Sequence, residues 1–355
     1  MPHPTTLVKL TRRVGPAVVE QLNQALLAKA AAHKVLRTHK LRADTTVVAA
    51  NVRYPTDAGL LARAVSKLAN TIGRIRAAGG ATRTKTRDRR RAARRRAHQL
   101  ARSLRARTEQ AKRQAAAAAR VARNARRQLA RAGRSATGQL ARLVSELETT
   151  IGRTQQVIGQ ARTRLAGQTP DGATRLCSLH DPDARPIVKG RLGKPVEFGY
   201  KAQATDNADG VVLDYLVEVG NPAEAPLLVP AVERIIQQTG RVPGAATADR
   251  GYGEAAVEDE LHALGVEQVA IPRRGTPSST RRAHEHTRSF RRLVKWRTGC
   301  EGRISHLKHR CGWDRTLMDG IDGARIWCGQ GILAHNLVKI SRLVAAKQQR
   351  LAACR

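Results

Sequence analysis

Residues 245–272, AATADRGYGEAAVEDELHALGVEQVAIP, decide the class of fold. Within this stretch, 245–248 predicts a short strand that ends at Asp249. A helix is predicted at 253–264 and a second strand at 268–272. A strand, a helix and a strand in succession are typical of a parallel sheet. Open α/β sheets carry their functional sites at the carboxyl ends of the strands, so Asp249 is a candidate site residue.

The neighbouring segments add strands and helices around this unit. Two strand candidates, 196–204 and 211–219, are joined by a stretch that ends in Asp-Gly, which predicts an antiparallel pair. These strands make the predicted sheet mixed rather than purely parallel. The remaining predictions are helices at 226–238, 290–309 and 321–343, with a basic loop at 273–288.

A further strand is predicted near the start of the chain, after a helical segment at about 6–40. The stretch 41–52, LRADTTVVAANV, is rich in β-branched residues, and Pro55 ends whatever it forms. Asp44 lies inside this strand, where propensity disfavours aspartate. It is therefore a second candidate site residue.

The charge of the chain indicates a polyanionic partner. It holds 65 Lys and Arg against 28 Asp and Glu, a formal net charge of +37. Arginine dominates this excess and forms bidentate contacts with phosphate, so nucleic acid is favoured over a membrane surface or an acidic protein. No stretch reaches the roughly 18 apolar residues of a membrane span, and the first residues lack a signal peptide's apolar run. We expect a cytoplasmic protein without a membrane or small-molecule partner.

A long basic insertion follows the first strand. Residues 57–168 predict long helices with breaks near Gly80 and near Gly133 or Gly138, and a coiled-coil pair is one arrangement for them. Within them, 80–134 holds 20 Lys or Arg against two acids. We expect this block to contact DNA phosphates, the alternative being a solvated charged face. Three of its residues are predicted to make that contact: Arg94, Arg95 and Arg96.

A third acid completes a candidate metal site. Glu301 lies on a predicted helix with Arg297 and Lys308, at the spacing R-x₃-E-x₆-K, which places all three on one face. Carboxylate oxygens suit Mg²⁺ or Mn²⁺, and two ions about 3.5 to 4 Å apart can stabilise the attacking and leaving oxygens of phosphoryl transfer. Three acids are predicted to bind two such ions and to be catalytic: Asp44, Asp249 and Glu301.

These motifs resemble the DDE-type transposases of bacterial insertion sequences, and the resemblance covers most of 1–345. It rests on RADTTVV and YPTD within 42–57, on ADRGY at 248–252, and on R-x₃-E-x₆-K. The runs FGYK, DNADG, GNP and HNL between 198 and 337 are similar as well. The family's motif usually has a tyrosine three residues before its arginine, where this chain has Val294.

The resemblance implies an α/β fold of the RNase H-like type, a mixed sheet flanked by helices with the basic helical insertion after its first strand. It also implies metal-dependent DNA cleavage at the terminal inverted repeats of an element, then strand transfer into target DNA by a homodimer in the bacterial nucleoid. Asp44 and Asp249 hold the metal ions, and Glu301 completes the site and helps to orient or deprotonate the nucleophile. Four basic residues are interpreted as DNA contacts: Lys201, Arg250, Arg297 and Lys308.

The predicted organisation has five parts. They are an N-terminal helical segment at 1–40, interpreted as the remainder of a truncated DNA-binding region; the first catalytic strand at 41–56; the Ala/Arg-rich insertion at 57–168; the rest of the catalytic domain at 169–345; and a tail at 346–355. Two other functions stay open: an inactive or truncated remnant that only binds DNA, and a nuclease that cuts without joining.

Four other acids compete for the catalytic roles. We interpret Asp57 as the N-cap of a helix, and Asp206 and Asp209 as turn residues. Asp214 lies near a predicted strand as well. A zinc site is the competing metal prediction, but its candidates match no common structural zinc pattern: Cys300, His306, His309 and Cys311.

Overall fold

The computed structural model describes residues 3–95, 100–131, 138–191 and 194–353. The chain forms two compact units. The sheet unit comprises Met1–Asn51 with Ile187–Arg355, and the helical unit comprises Val52–Pro186. The helical unit is thus inserted between the first strand of the sheet unit and the rest of it.

One mixed sheet contains the six strands of the described residues. They are β1 (Lys40–Ala49), β2 (Arg185–Arg191), β3 (Lys194–Asn207), β4 (Val212–Val219), β5 (Ala245–Thr247) and β6 (Gln268–Ala270). Strand β1 lies in the middle, antiparallel to β3 and parallel to β5. Beyond these, β4 is antiparallel to β3 and β6 is parallel to β5, while β2 also pairs with β3. This open sheet is flanked by helices and has the predicted RNase H-like arrangement, so the predicted fold class is confirmed.

Helices pack around the sheet. In the sheet unit they are α1 (Pro4–Val14), α2 (Pro16–Ala32), α7 (Ala225–Thr239), α8 (Ala255–Ala263), α9 (Ser279–Glu285), α10 (Arg288–Arg297), α11 (Gly299–Arg310) and α12 (Gly320–Ala353). The single helix predicted at 6–40 is wrong, because Gly15 adopts a φ of 84° and Pro16 begins a new helix. The predicted loop at 273–288 contains α9, which Ser278 caps through the Arg281 amide.

The predicted helix at 290–309 is divided between α10 and α11. Arg42 of β1 donates a hydrogen bond from Nη1 to the carbonyl oxygen of Trp296, at 2.9 Å. In a continuous helix that oxygen would accept from the Cys300 amide. The same guanidinium lies against Gly299, where an added Cβ would be 2.5 Å from Nη1. A side chain from the sheet therefore breaks the helix just before Glu301.

The core of the sheet unit lies on one face of β1. Leu41 and Ala43 belong to a buried cluster with residues of α7, α8 and α12, such as Leu228. Side chains alternate along a strand, so Arg42 and Asp44 point to the opposite face. The apolar pattern that builds the core therefore also directs Asp44 away from it.

The helical unit contains α3 (Asp57–Ala77), α4 (Arg90–Arg95), α5 (Leu100–Arg131) and α6 (Gln139–Leu165). Helices α3, α5 and α6 pack on one another through a cluster that includes Leu68, Val121 and Leu147, with small alanines of α5 between them. The insertion thus has the long helices we predicted, packed as a group of three rather than as the coiled-coil pair that was one possible arrangement. Two of the predicted breaks occur, one at Gly79 and Gly80 and the other at Gly138, the N-cap of α6.

The predicted DNA contacts Arg94, Arg95 and Arg96 lie where one described segment of the chain ends. The backbone of Arg94 and Arg95 forms the end of α4. Arg96 and Gly133 lie outside the described residues.

Candidate active site

Two parallel strands bring Asp44 and Asp249 to one place. The pairing of β1 with β5 aligns Arg42 with Thr247. Asp44 and Asp249 each lie two residues further along their segments, and side chains alternate with a period of two. Both aspartates therefore lie just beyond the paired residues of β1 and β5, on the same face of the sheet.

A tight turn holds Asp249 in position. The residues Arg250–Tyr252 form one turn of 3₁₀ helix, and the Asp249 carboxylate accepts a hydrogen bond from the Gly251 amide at 2.7 Å. Tyr252 is fully buried, and its hydroxyl donates to Oε1 of Gln203 on β3 at 2.9 Å. The aromatic anchor fixes the turn to the sheet, which limits the positions that the Asp249 carboxylate can take.

Glu301 reaches the same cleft from the other side. It is exposed in the first turn of α11, directly after the helix break. Arg297, the last residue of α10, places Nη1 3.7 Å from Oδ2 of Asp44. The cleft has a volume of about 570 Å³ and contains all three predicted acids in its lining. Its charged lining residues are Asp44, Glu224, Asp249, Glu301, Lys189, Lys201, Arg297 and Lys308.

The predicted basic contacts take different positions around this cleft. Lys201 is buried, and its ammonium donates to the carbonyl oxygen of Pro222 at 2.8 Å. Lys308 is half-buried in the cleft wall two turns after Glu301. Arg250 is exposed and is not among the lining residues; it donates to two carbonyl oxygens of the loop after β6.

Glu224 is a site residue that the sequence analysis missed. It directly precedes α7 and shares the cleft with the two aspartates. Its Oε1 accepts a hydrogen bond from the Thr45 hydroxyl and lies 3.1 Å from Nζ of Lys201. The only sequence signal was its place two residues after the GNP run that ends at Pro222.

Burial and neighbouring acids act together on the two aspartates of the cleft. Burial raises the pKa of Asp44 to about 6, and the neighbouring Asp249 adds to this rise, while Arg297 opposes it. Burial also raises the pKa of Asp249, and the charge of Glu224 is the second cause. Desolvation and like charges both disfavour the ionised carboxylates, so a cation bound among them would be strongly favoured.

The competing acids pair with arginines. Asp206 is wholly buried in β3 rather than in the turn where we predicted it. Nε and Nη2 of Arg42 donate hydrogen bonds to its two carboxylate oxygens, at 2.7 and 2.9 Å. Arg303 adds a third contact at 3.1 Å. The pair is structural because it ties β1 to β3 and to α11. Two other acids are paired in the same way, Asp209 with Arg37 and Asp214 with Arg234.

The predicted N-cap role of Asp57 is wrong. Thr56 is the N-cap of α3, since its hydroxyl accepts from the Gly59 amide at 3.2 Å. Asp57 is the first helical residue and is buried, and its Oδ2 lies 2.5 Å from Nε of Arg164. A carboxylate in the first turn also interacts favourably with the helix dipole.

The zinc candidates do not assemble as a set of four. Within the described part of the chain, the one group of three or more candidate ligands whose atoms all lie within 4.8 Å of one another is His306, Cys311 and His335. Burial lowers the pKa of both imidazoles first, nearby cations such as Arg303 and Lys339 lower it further, and these cations would repel a divalent ion. Among the described residues, the carboxylates of Asp44, Glu224, Asp249 and Glu301 do not form such a compact group of three.

The fold and the cleft define an RNase H-like protein with a carboxylate site. Residues 177–337 match the family described as the transposase DDE domain. The predicted resemblance to DDE-type transposases is thereby confirmed. The match includes Asp249 and Glu301, and Asp44 precedes it. At the position of the family's tyrosine, Val294 packs half-buried against the cluster of Phe290 and Leu293.

The family match supports an enzyme of the nuclease and transposase kind that acts on DNA. Comparisons with curated proteins and with solved structures gave no match. Among the helices that the structure describes, none combines the length and the apolar character needed to cross a membrane.

Proposed function

We propose that this protein cleaves DNA at the terminal inverted repeats of a bacterial insertion sequence and joins the freed 3′ ends to target DNA. One observation carries the proposal: the cleft that collects Asp44, Asp249 and Glu301 from three distant segments of the chain. The adjacent cations suit a phosphodiester substrate, because charge develops on the nonbridging oxygens during in-line attack.

The residues of the cleft fit a divalent cation. Asp44 and Asp249 offer hard oxygen ligands, and their pKa values are raised first by burial and second by a neighbouring carboxylate. Asp44 and Asp249 would hold Mg²⁺ or Mn²⁺, with Glu301 completing the site. When bound, two such ions would stabilise the attacking and leaving oxygens of the displacement.

The remaining chemistry belongs to the side chains. Glu301, exposed at the cleft edge, is placed to orient or deprotonate the attacking water or 3′-hydroxyl. Arg297 and Lys308 neutralise the phosphate, and Arg297 also opposes the rise in the pKa of Asp44, which favours its ionised form. Because two ends must be brought together, the proposal includes a homodimer as the minimal assembly.

A plasmid assay tests the cleavage step. The donor is a supercoiled plasmid that carries the coding region with its flanking genomic DNA, including any inverted repeats that bracket it, with Mg²⁺ or Mn²⁺ supplied. We expect nicking or excision by the unaltered chain and by Asp259→Asn, a change at an exposed acid of α8. Asp249→Asn should abolish cleavage and keep DNA affinity. If a well-folded preparation binds the ends but never cleaves them, the proposal fails in favour of the DNA-binding remnant.

A second assay separates joining from cutting. The substrate is a pre-cleaved oligonucleotide with a recessed 3′-hydroxyl, and the readout is its covalent attachment to a target plasmid. Strand transfer that Asp249→Asn abolishes would support transposition. Cleavage of the donor without any joined product would support the nuclease alternative instead.

The helical unit is proposed to contact DNA phosphates through α5. A deletion is a poor test, since α5 contributes Val121 to the core of this unit. Three exposed arginines of α5 can be changed instead: Arg123, Arg127 and Arg131. Replacement by Gln should lower the slope of log affinity against log salt by about 0.9 for each phosphate that the protein no longer neutralises. The triple Lys variant keeps the charge and should keep the slope; an equal slope for all three proteins would refute this role of α5.

A further inference from the structure

The carboxylate of Glu224 contacts β1 through one oxygen and the turn that carries Asp249 through the other. Its Oε1 accepts from the hydroxyl of Thr45, the residue next to Asp44. Its Oε2 points the other way, against Gly251 in the turn that carries Asp249. A Cβ added to Gly251 would overlap Oε2 of Glu224 and would lie 2.9 Å from Oδ1 of Asp249. One oxygen of Glu224 thus faces the Asp249 position.

Helix capping does not explain this position. Glu224 occupies the N-cap of α7, but its side chain makes no hydrogen bond to the backbone of that helix. Its backbone is in the αR region, with φ −82° and ψ −37°, whereas capping residues are typically extended. The side chain turns into the cleft instead of stabilising the helix that begins after it.

Pairing with Lys201 accounts for only one of the two carboxylate oxygens of Glu224. Nζ of Lys201 lies 3.1 Å from Oε1 and donates to the carbonyl oxygen of Pro222 as well. The other oxygen, Oε2, is directed at the Asp249 turn, where the nearby charge is negative. Two carboxylates held this close repel each other, and a cation bound between them would remove that repulsion.

We propose that Glu224 is a fourth carboxylate ligand of the divalent-cation site, at the Asp249 position. This inference rests on the proposed function, because it needs the same cation site. Lys201 then acts as the counter-ion of Glu224 in the protein without bound cation. Cation binding competes with Lys201 for Oε1, while Oε2 completes the ligand set beside Asp249.

The test is Mn²⁺ binding to the full chain without DNA, measured by titration calorimetry and by the electron paramagnetic resonance signal of free Mn²⁺. Glu224→Gln should weaken Mn²⁺ binding by about tenfold or more, since removing even a partner of a metal's direct ligands costs that much. Glu233→Gln changes an exposed acid on the same helix and should bind as the unaltered chain does. Wild-type affinity and stoichiometry in Glu224→Gln would overturn the proposal.

A double variant separates ligation from an indirect effect through Lys201. If Glu224 only neutralises Lys201, removing both groups in Lys201→Met with Glu224→Gln should restore wild-type affinity. If Glu224 is a ligand, the double variant should stay weak and Lys201→Met alone should bind Mn²⁺ more tightly. Restoration of affinity in the double variant would therefore overturn the proposal.

Separate controls test whether each variant folds and whether the unaltered chain binds the cation at all. Thermal unfolding without metal shows whether each variant is folded; if Glu224→Gln is not, Glu224→Asp keeps the charge with a shorter reach and should bind with intermediate affinity. Wild-type affinity in Glu224→Asp would then overturn the proposal. Loss of binding in Asp249→Asn but not in Glu224→Gln would reject the role of Glu224 alone. No Mn²⁺ binding by the unaltered folded chain would reject both it and the proposed metal-dependent function.

Discussion

Arg42 joins the strand of Asp44 to the helices of Arg297 and Glu301 by donating a hydrogen bond to the carbonyl oxygen of Trp296. Its guanidinium lies 4.8 Å from the centre of the Trp296 ring and is held by both oxygens of Asp206. One buried arginine thus connects β1, β3 and the junction of α10 with α11. The geometry of the cleft depends on this connection, because the two sides of the site come from these elements.

Arg42→Lys should destabilise the protein strongly. Lysine keeps the charge but cannot reproduce the two-oxygen contact with Asp206 or the stacking on Trp296. Breaking a buried ion pair costs roughly 3 to 5 kcal/mol, and we expect a loss of free energy of unfolding near the lower end. Urea denaturation measures it.

The matched control is another Arg–Asp pair, between Arg37 and Asp209. The Arg37 side chain is 61% exposed, so Arg37→Lys should cost less than about 1 kcal/mol. Equal losses in the two variants would show that burial of Arg42 does not determine the effect.

Gly251→Ala should disturb the site through Glu224 rather than through the backbone. Gly251 does not have a positive φ, so alanine is allowed there, but its Cβ would overlap Oε2 of Glu224. Overpacking of this kind costs typically about 1 to 3 kcal/mol. The cost should fall sharply in the background of Glu224→Ala, which removes the overlapping group. Thermal unfolding of the four proteins measures this coupling, and an unchanged cost would contradict the explanation.

Asn336→Ala should loosen the β3–β4 pair. The Asn336 side chain is wholly buried, and it both accepts from the Val212 amide at 3.0 Å and donates to the Val212 carbonyl oxygen at 2.7 Å. Each buried group left without a partner costs about 1 to 3 kcal/mol. Hydrogen exchange should show reduced protection of the Val212 amide. Leu337→Ala, at the exposed neighbouring position, should leave that protection unchanged.

His335 should make the fold sensitive to acid. Its pKa is lowered to about 4, first because it is buried, although its hydrogen bond to the Gly210 carbonyl oxygen partly opposes this. Arg303, His306 and Lys339 also lower it. The unfolded imidazole binds a proton near pH 6.5, so its contribution to stability is full above that pH and is lost as the pH falls toward 4.

The measurement is the free energy of unfolding between pH 7 and pH 4. His335→Gln should give a shallower dependence on pH than the unaltered chain over this range. His286→Gln, at an exposed histidine, should not change the slope. The same slope for all three proteins would show that His335 does not cause the acid sensitivity.

Local patterns predicted most of the elements. The strand of Asp44, the antiparallel pair after it and the strand–helix–strand at 245–272 follow from β-branched runs, helical periodicity and turn residues, which are properties of neighbouring residues. The division of the predicted helix at 290–309 could not be predicted in this way. Its cause is Arg42, more than two hundred residues away in the chain, whose contact with Trp296 exists only after the sheet has formed.

The site shows the same division between sequence and tertiary structure. The sequence by itself determined the class of fold, the candidates Asp44, Asp249 and Glu301, and the resemblance to DDE-type transposases, because each is carried by a short motif. Only the tertiary structure decided that Glu224 shares their cleft while Asp206 is an internal ion pair. Both are acids near strands or helix starts in the sequence. Strand register and the path of a buried arginine determine which of them faces the cleft, and these depend on contacts between distant segments.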